Sequence, residues 1–319
     1  MPIERTAIVT YDEAATAGLR DAMEEDPTIV LFGPDVTTGG PGGTTTMLLD
    51  AFGAERVIDA PAASAVSQAM GAALTGRNPV VDIGPEDFVR YGLANIVRYA
   101  SESGHWRNGN LYLPLAIRIR LGGPPTAEQI GLVGWLVGIP GFRIALPSNP
   151  SDCYRLVRSA IRHDYPSFVI EDASLAGMRG EVWPTGAAAA GGSFIARAGT
   201  DVTVVATSRL VQEALRVADE LAAQGVSVEV IDMRWLVPLD IDGIAAAATR
   251  TRHVVVAHEG TAYGPNAELA SRIAEHAHGV LAAPVARVEA NVDRDGHITR
   301  PGADELTQAI LRVLGRNEP

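Results

Sequence analysis

The second half of the chain alternates short apolar runs with longer amphipathic stretches. From Asp201 onwards, the runs DVTVVAT, VSVEVIDM and HVVVAHE are rich in Val and are separated by helix-like segments. In the first of these segments apolar residues recur at spacings of three and four, which places one stripe against a sheet: Leu210, Ala214, Val217, Ala218 and Leu221. Gly225 stands where a left-handed residue is expected to end that helix. Strands that are apolar on both faces are typical of a parallel sheet covered by helices, so the pattern predicts a compact α/β domain.

The first half shows the same alternation with longer and less regular connections. Its candidate strands are TIVLFG (28–33), RVIDA (56–60), PVVDIG (79–84), LPLAIRIRL (113–121), FRIALPS (142–148) and SFVIED (167–172). Its candidate helices begin near Tyr11, Ser64, Glu86 and Pro150. Two Gly-rich segments, 37–46 and 122–129, follow strands, which is where α/β proteins place ligand-binding loops. The small residues of about 181–195 predict a linker between a domain of residues 1–185 and a second domain of residues 195–319.

Two features of the composition exclude classes of chemistry. The single cysteine, Cys153, excludes an internal disulfide, a CxxC redox pair and a cysteine-rich zinc site. All 26 basic residues are Arg. The absence of Lys excludes Schiff-base chemistry and the phosphate-binding Lys of a P-loop, since each needs a primary amine. The sequence also contains no HExxH, no GxSxG and no pair of catalytic carboxylates at diagnostic spacing.

The charge and the hydropathy pattern together predict a cytoplasmic protein. A formal net charge of −12 argues against nucleic acid or an anionic membrane as the main partner, because no excess positive charge is present to displace counterions. The longest apolar stretches break at Gly and Pro before the roughly 20 residues that a membrane span requires. The first residues, MPIERTAIVT, lack the apolar region of a signal peptide.

Three local motifs are open to a functional or a structural interpretation. GGPGGTTT within 37–46 lacks both the GxGxxG spacing and a following Lys, so a tight or mobile surface loop is the simpler interpretation. His276 and His278 are two positions apart near a helix end and point to different faces, which favours a solvated helix end over a metal site. His258 and Glu259 follow a strand, and they fit either the edge of a cleft or a polar strand terminus.

The arrangement of the whole chain is more informative than any local motif. In order, the chain contains the segments DEAATAGLRDAMEEDPTIVLFGPDV, LLDAFGAERVIDAP, GAALTGRNPVVDI, IPGFRIALPSNPSDCYRLVRSAIRHDYPSFVIED and SVEVIDMRWLVPLDIDGI. From about residue 6 to 315 it resembles the beta subunit of the 2-oxo acid dehydrogenases, the pyruvate and branched-chain type, which is related to transketolase. The resemblance implies an α/β fold with two domains. The first is a pyrimidine-binding domain for thiamine diphosphate, built on a parallel sheet, and the second is a transketolase C-terminal domain.

The resemblance also implies a partner chain. In the family, the diphosphate of the cofactor and its Mg²⁺ are bound by a GDG motif in a separate domain, and this chain contains no GDG. A complete site therefore needs an alpha-type subunit that carries this domain. The implied assembly is an α₂β₂ heterotetramer with a contact between the two beta-type chains.

The family Glu that activates the cofactor has no acidic counterpart here. In the family this Glu hydrogen-bonds N1′ of the aminopyrimidine and promotes loss of the C2 proton of the thiazolium ring. The matching segment, from Pro61 to Gly71, is about two residues shorter than usual, so two positions compete. Counting forward from Pro61 places Ser64 at the Glu position, and counting back from Gly71 places Ala62 there.

Three other positions around the same pocket differ from the family residue, and one position matches it. Glu128 takes the place of a family His that contacts the substrate, with Gln129 as the alternative because the preceding loop is shorter. Pro34 replaces a family Glu. Phe88 matches an aromatic residue that packs on the aminopyrimidine, and Gly84 replaces a larger residue and is expected to widen the pocket.

These substitutions leave three interpretations. In the first, the chain and its partner form a thiamine diphosphate-dependent enzyme with Glu128 as an acid or base. It would handle a 2-oxo acid or ketose by acyl or ketol transfer, decarboxylation or carboligation, in a specialised pathway, because loss of the family His argues against ordinary reductive acylation of a lipoyl arm. In the second, the subunit is catalytically retired and stabilises or regulates its partner. In the third, the pocket binds a different ligand.

Overall fold

The chain folds into two compact units. A computed structural model describes the following residues: 7–106, 114–182 and 191–316. The units comprise these segments: Met1–Gly123 with Gly138–Ala190, and Pro124–Val137 with Gly191–Pro319. The segment Pro124–Val137 thus belongs to the second unit, although the segments before and after it belong to the first. Most of the predicted linker, residues 183–190, lies outside the described residues, so the boundaries at 185 and 195 stay predictions.

The first unit consists of a parallel sheet, the helices that connect its strands, and a separate antiparallel pair formed by its first and last strands. Its strands are β1 (Ala7–Thr10), β2 (Ile29–Gly33), β3 (Val57–Asp59), β4 (Asn78–Ile83), β5 (Ala116–Leu121), β6 (Arg143–Ala145), β7 (Ser167–Asp172) and β8 (Arg179–Val182). Its helices are α1 (Tyr11–Glu25), α2 (Leu48–Phe52), α3 (Ala62–Leu74), α4 (Pro85–Asp87), α5 (Leu93–Trp106) and α7 (Pro150–Ile161). A π-helical turn, Phe88–Gly92, joins α4 to α5, and a 3₁₀ turn, Ala173–Leu175, follows β7.

The strand order of this unit reverses between β2 and β4. In its sheet, β6, β7, β5, β4, β2 and β3 lie side by side in that order, and each neighbouring pair is parallel. The chain passes from β2 to β3 on one side and then crosses to β4 on the other side of β2. In open α/β sheets, ligands bind outside the carboxyl ends of the strands at such a switch point. The carboxyl ends of β2 and β4 are therefore the first place to look for a site.

Helices α1 and α7 pack against each other, and local sequence signals specify where each begins. The Thr10 hydroxyl accepts from the Glu13 N–H, while the Glu13 carboxylate accepts from the Thr10 N–H, which caps α1. Asn149 caps α7 through its side-chain oxygen. A Cβ on Gly18 of α1 would lie only 2.8 Å from the carbonyl oxygen of Tyr154 in α7. Glycine at this position is therefore what lets the two helices approach so closely.

A buried ionic cluster ties together the centre of the sheet. Arg118 on β5 is 2 % exposed, and its guanidinium donates two hydrogen bonds, of 2.9 and 3.1 Å, to the Glu171 carboxylate of β7. The same guanidinium donates to the Asp82 carboxylate of β4 at 3.3 Å and to the Thr44 hydroxyl at 3.0 Å. One cation thus serves two buried carboxylates. Burial, only partly offset by the charge of Arg118, raises the pKa of Asp82 to about 6.

The second unit has its own five-stranded sheet, in the order β14, β13, β10, β11 and β9. Its strands are β9 (Phe194–Arg197), β10 (Val202–Ala206), β11 (Val228–Asp232), β12 (Trp235–Val237), β13 (Val254–Ala257), β14 (Ala286–Val288), β15 (Asn291–Val292) and β16 (Ile298–Thr299). Its helices are α6 (Ala127–Val137), α8 (Arg209–Ala222), α9 (Ile241–Thr251), α10 (Pro265–His276) and α11 (Ala303–Val313). The sheet is parallel except for β9, which pairs antiparallel with β11 at the edge.

The apolar stripe predicted for α8 faces the core of this unit. Each of its five residues is at most 1 % exposed, and they share one apolar cluster with β10, β11 and α11: Leu210, Ala214, Val217, Ala218 and Leu221. Gly225 has a φ of 75°, the left-handed conformation expected just beyond the helix end. The period of the hydrophobic pattern was therefore sufficient to identify both the buried face and the end of this helix.

The predicted strands and helix starts of the first half are present, with ends displaced by up to three residues. The main difference is α6, because the segment 122–129 was predicted to be a loop and its last three residues begin this helix. Two glycines within α6, Gly131 and Gly134, lower its intrinsic helix propensity. A Cβ on Gly134 would lie 3.7 Å from the Cα atom of Gly264, at the start of α10. Packing within the second unit, rather than local preference, thus stabilises α6.

The structure also bears on a membrane location. Within 7–106, 114–182 and 191–316, no helix combines the length and the apolar composition that crossing a bilayer requires. The cytoplasmic location stays a prediction.

We expect Arg118→Met to destabilise the first unit strongly. The substitution leaves Asp82 and Glu171 buried without their cation, and removing one partner of a buried ion pair costs about 3–5 kcal/mol. Urea unfolding followed by circular dichroism measures the change. The matched control is Arg272→Met, which removes a solvent-exposed pair with Glu268 in α10 and is expected to cost about 0.5 kcal/mol. Equal shifts of the two unfolding midpoints would contradict the structural role of the cluster.

Candidate functional site

The carboxyl ends of β3, β2 and β4 form one edge at the switch point of the first unit. Asp59 lies opposite Gly33 in the register of β2 and β3, and the Ala60 N–H donates to the Gly33 carbonyl at 3.0 Å. On the other side, a Cβ on Gly33 would lie 2.1 Å from the Asp82 carbonyl oxygen, so only glycine fits there. The segments that follow β3 and β4, which begin at Ala60 and Gly84, therefore start from the same edge.

Gly84 borders open space at this edge. It follows β4 directly, and apart from its chain neighbours no described heavy atom lies within 4 Å of the position that its Cβ would occupy. A larger residue would therefore extend into this space, which agrees with the expectation that Gly84 widens a pocket. The space beside Gly84 is therefore unfilled by any described side chain. Direct contact between Gly84 and a cofactor stays a prediction.

Ala62 and Ser64 both lie in the first turn of α3, which follows β3. Pro61 is the N-cap of this helix and makes no side-chain cap bond. The Ser64 hydroxyl is engaged within its own helix, since it donates to the Pro61 carbonyl at 3.3 Å and accepts from the Gln68 amide at 2.9 Å. Ala62 is half-buried and has no polar side-chain atom. The turn thus supplies no carboxylate at either position.

Phe88 lies in the core of the first unit, and its packing on an aminopyrimidine stays a prediction. Its side chain is 0 % exposed, and its ring stands edge-on to Phe168 with the centroids 5.6 Å apart. A Cβ on Gly92 would lie 2.8 Å from this ring. Phe88 is therefore part of the core and presents no open face in the described chain. The enclosed ring packs against Gly92 of its own π-helical turn, which follows β4 and α4.

Glu128 lies in the first turn of α6, in the second unit. The Ile130 N–H donates to the Thr126 carbonyl at 3.1 Å, and the Gln129 N–H donates to the Thr126 hydroxyl at 3.2 Å, so Thr126 caps the helix start. Glu128 is half-exposed. A carboxylate is favoured near the positive end of the helix dipole. Of the predicted site residues, Ala62, Ser64 and Gly84 thus belong to the open edge, whereas Glu128 and its alternative Gln129 belong to the other unit.

The Gly-rich loop 37–46 is held by side chains that sequence reasoning missed. Arg118 donates to the Thr44 hydroxyl at 3.0 Å, and Arg120 donates to the Gly42 carbonyl at 3.1 Å. The loop is therefore tied to β5, which fits the tight and not the mobile form of the predicted surface loop. The available signal was the pattern AIRIRL, because two Arg at alternate positions of an otherwise apolar strand require buried partners.

The other motifs have structural explanations. His276 and His278 are exposed, and His276 Nδ1 hydrogen-bonds a backbone carbonyl of its own helix at 2.8 Å, as expected for a solvated helix end. Cys153 is buried, and burial raises the pKa of its thiol, so the reactive thiolate is disfavoured. Glu259 accepts from Arg209 at 2.6 Å, which fits a polar strand terminus.

Profiles of two domain families cover nearly the whole chain. The transketolase pyrimidine-binding domain matches residues 8–179, and the transketolase C-terminal domain matches residues 191–311. The first match alone spans more than half of the 319 residues. These matches confirm the α/β fold class that the sequence predicted.

Individual relatives are similar over their full length. The pyruvate dehydrogenase E1 component subunit beta of Leifsonia xyli subsp. xyli is 35% identical over 98% of this chain and 97% of its own. The 3-methyl-2-oxobutanoate dehydrogenase subunit beta of Mycobacterium tuberculosis is 35% identical over 97% of this chain and 93% of its own. A solved structure described as a split-gene transketolase, inactive beta4 tetramer, shares the fold, with a TM-score of 0.75 at 22% identity over 97% of this chain and 99% of that one. This chain belongs to the transketolase-like family of thiamine diphosphate-dependent 2-oxo acid dehydrogenase beta subunits.

Proposed function

We propose that this chain is the beta-type subunit of a heteromeric thiamine diphosphate-dependent enzyme that acts on a 2-oxo acid or a ketose. The observation that carries the proposal is the open edge of the first unit, where the strand order reverses between β2 and β4 and the space beside Gly84 is unfilled. The reaction classes that fit are acyl or ketol transfer, decarboxylation and carboligation. The altered residues around the edge favour a specialised pathway over central pyruvate oxidation.

A second chain completes the site. The chain contains no GDG segment, so the diphosphate and Mg²⁺ are assigned to an alpha-type partner. The assembly that we propose is an α₂β₂ heterotetramer with a contact between the beta-type chains. This chain carries a net charge of −12, and two acidic surfaces repel each other. A partner whose contact surface has an excess of Arg or Lys therefore associates more favourably.

The role of this chain is to bind and orient the aminopyrimidine ring of the cofactor. When bound, thiamine diphosphate supplies a nucleophilic carbon, C2 of its thiazolium ring, for attack on a substrate carbonyl. Gly84 leaves room for the ring, and Ala62 offers an apolar contact at the start of α3. Ser64 supplies the single polar side chain of the segment from Ala62 to Ala65. This turn would therefore offer the ring a hydroxyl and apolar contacts, and no carboxylate.

Glu128 is the residue that we propose as acid or base toward the substrate. It is half-exposed in the first turn of α6, and Thr126 caps the start of this helix. A carboxylate takes up a proton as a His does, but it adds a negative charge rather than a neutral or positive group. This difference is the physical reason to expect a substrate or an acceptor other than that of the pyruvate-type relatives.

A catalytically retired subunit is the second candidate function. The observation that favours it is the absence of any carboxylate in the first turn of α3, because a subunit that no longer activates the cofactor has no use for one. The structural neighbour with a TM-score of 0.75 is itself described as an inactive beta4 tetramer. On this alternative, the chain stabilises or regulates its partner, and Glu128 is a solvated residue at a helix start.

The proposed function predicts that thiamine diphosphate binds the heteromer and not this chain alone. The experiment is co-expression with the alpha-type chain of the neighbouring gene, followed by calorimetric titration with thiamine diphosphate and Mg²⁺. We expect saturable binding that disappears when Mg²⁺ is replaced by a chelator. A heteromer that fails to bind the cofactor overturns the proposal. Binding without exchange of the C2 proton for deuterium supports the retired subunit instead.

Restoring a carboxylate in the first turn of α3 is expected to accelerate C2 proton exchange. We expect either Ala62→Glu or Ser64→Glu, but not both, to raise the exchange rate of the heteromer on the order of 100-fold, which is the usual size of a positioned acid or base effect. Proton NMR in D₂O measures the rate. Ala63→Glu is the matched control, because Ala63 is exposed between the two positions. A gain in the Ala63 variant would show that added charge, not position, is responsible.

Glu128→Gln is expected to abolish most turnover while leaving cofactor binding unchanged. The amide keeps the size of the side chain but neither takes nor gives a proton near neutral pH, and a general acid or base contributes roughly 10²–10⁴-fold. Steady-state kinetics with a panel of 2-oxo acids and ketoses measures the loss. The control is Glu275→Gln on the exposed surface of α10. Full activity of the Glu128 variant rules out the proposed role.

A further inference from the structure

His258 is held rigidly at the carboxyl end of β13. Its N–H donates to the Val288 carbonyl of β14 at 3.1 Å, which extends the strand pairing by one residue. Its side chain is 3 % exposed, and its Nδ1 lies 2.9 Å from the hydroxyl oxygen of Thr207, the residue after β10. Burial lowers the pKa of His258 to about 4, so the ring is neutral near pH 7. The imidazole is thus a fixed, uncharged group.

The other side of the imidazole is directed toward α6. A Cβ on Gly260 would lie 3.0 Å from Cδ2 and 3.2 Å from Nε2 of His258, and 3.3 Å from the carbonyl oxygen of Ile130. One point in space is therefore in close contact with both the ring edge and the first turn of α6. A side chain at Gly260 would therefore meet both the ring edge and the Ile130 carbonyl. Ile130 follows Glu128 by two residues in the same turn.

The Nε2 atom of His258 has no hydrogen-bond partner in the described part of the chain. A buried polar atom without a partner is unfavourable, and an apolar side chain of similar shape would remove that cost. The hydrogen bond to Thr207 accounts for Nδ1, whereas no contact in the described part of the chain accounts for Nε2. Nε2 and the Ile130 carbonyl oxygen of α6 border the same space beside Gly260.

We propose that His258 is a positioning residue for Glu128. The Thr207 hydroxyl donates to Nδ1, which leaves the ring hydrogen on Nε2, and this N–H holds the Ile130 carbonyl when the first turn of α6 closes on it. The turn then keeps Glu128 in one orientation during turnover. The inference rests on the proposed role of Glu128 and extends it to the second unit, because His258 touches neither cofactor nor substrate in this scheme.

The test compares two isosteric replacements in the co-expressed heteromer. The amide nitrogen of Gln in His258→Gln stands in for Nε2, and that of Asn in His258→Asn stands in for Nδ1. We expect the Asn variant to lose kcat by on the order of 10- to 100-fold with little change in KM, because misplacement of a catalytic group by about 1 Å has effects of this size. The Gln variant is expected to retain most of kcat.

Hydrogen exchange supplies a readout that does not depend on turnover. In the same heteromer, we expect the amides of residues 128–131 to exchange several-fold faster in His258→Asn than in the unsubstituted chain, and at the original rate in His258→Gln. Gly260→Ala, which inserts a methyl group between the ring and Ile130, is expected to behave like His258→Asn. The matched control is Gly177→Ala, where a Cβ meets no atom within 4 Å.

The outcomes separate this inference from the proposed function. Unchanged exchange at residues 128–131 in both His258→Asn and Gly260→Ala overturns the positioning role, whether or not Glu128 is catalytic. Equal kinetics of the Asn and Gln variants also overturn it. If residues 128–131 exchange faster in His258→Asn but Glu128→Gln keeps full activity, the link between His258 and catalysis through Glu128 is refuted. If the unsubstituted heteromer does not bind the cofactor, the proposed function itself is refuted. This result is obtained before any His258 variant is made.

Discussion

The position of one buried guanidinium is the constraint on which the first unit depends. Arg118 joins β4, β5 and β7 through Asp82 and Glu171, and it reaches the Gly-rich loop through Thr44. Charges without water are costly, so each member of the cluster is required once the others are present. The loop and the carboxyl ends of the central strands are thereby held in one arrangement. An open edge at a switch point persists only because the strands beside it are fixed in this way.

The edge itself separates two properties that thiamine diphosphate enzymes usually combine. Gly84 leaves the space beside it unfilled, and the close approach of β2 and β4 requires Gly33. Proton chemistry is reduced, because the first turn of α3 offers only the Ser64 hydroxyl and this hydroxyl bonds within its own helix. Shape is determined by strand order and glycine positions, whereas acid–base capacity is determined by single side chains. The second can therefore change while the first is retained.

Sequence reasoning located the candidate site unevenly. Ala62, Ser64 and Gly84 were found by counting from short matched segments, and all three lie at the one open edge. Phe88 was identified by the same method, but its ring is enclosed by Phe168 and the π-helical turn, and a linear match carries no information about burial. Arg118 and Arg120 were overlooked, although two cations in an apolar strand are a sign of buried partners.

The sequence by itself determined the alternation of strands and helices, the buried stripe of α8, the left-handed Gly225 and the family, because these follow from periodicity, capping and ordered local segments. Only the tertiary structure decided that α6 belongs to the second unit, that Arg118 serves two carboxylates, and that His258 faces the turn carrying Glu128. The physical reason is that these features depend on contacts between residues far apart in the chain. In a single sequence, such a contact is visible only as one unusual residue, such as a Gly outside a turn or an Arg within an apolar strand.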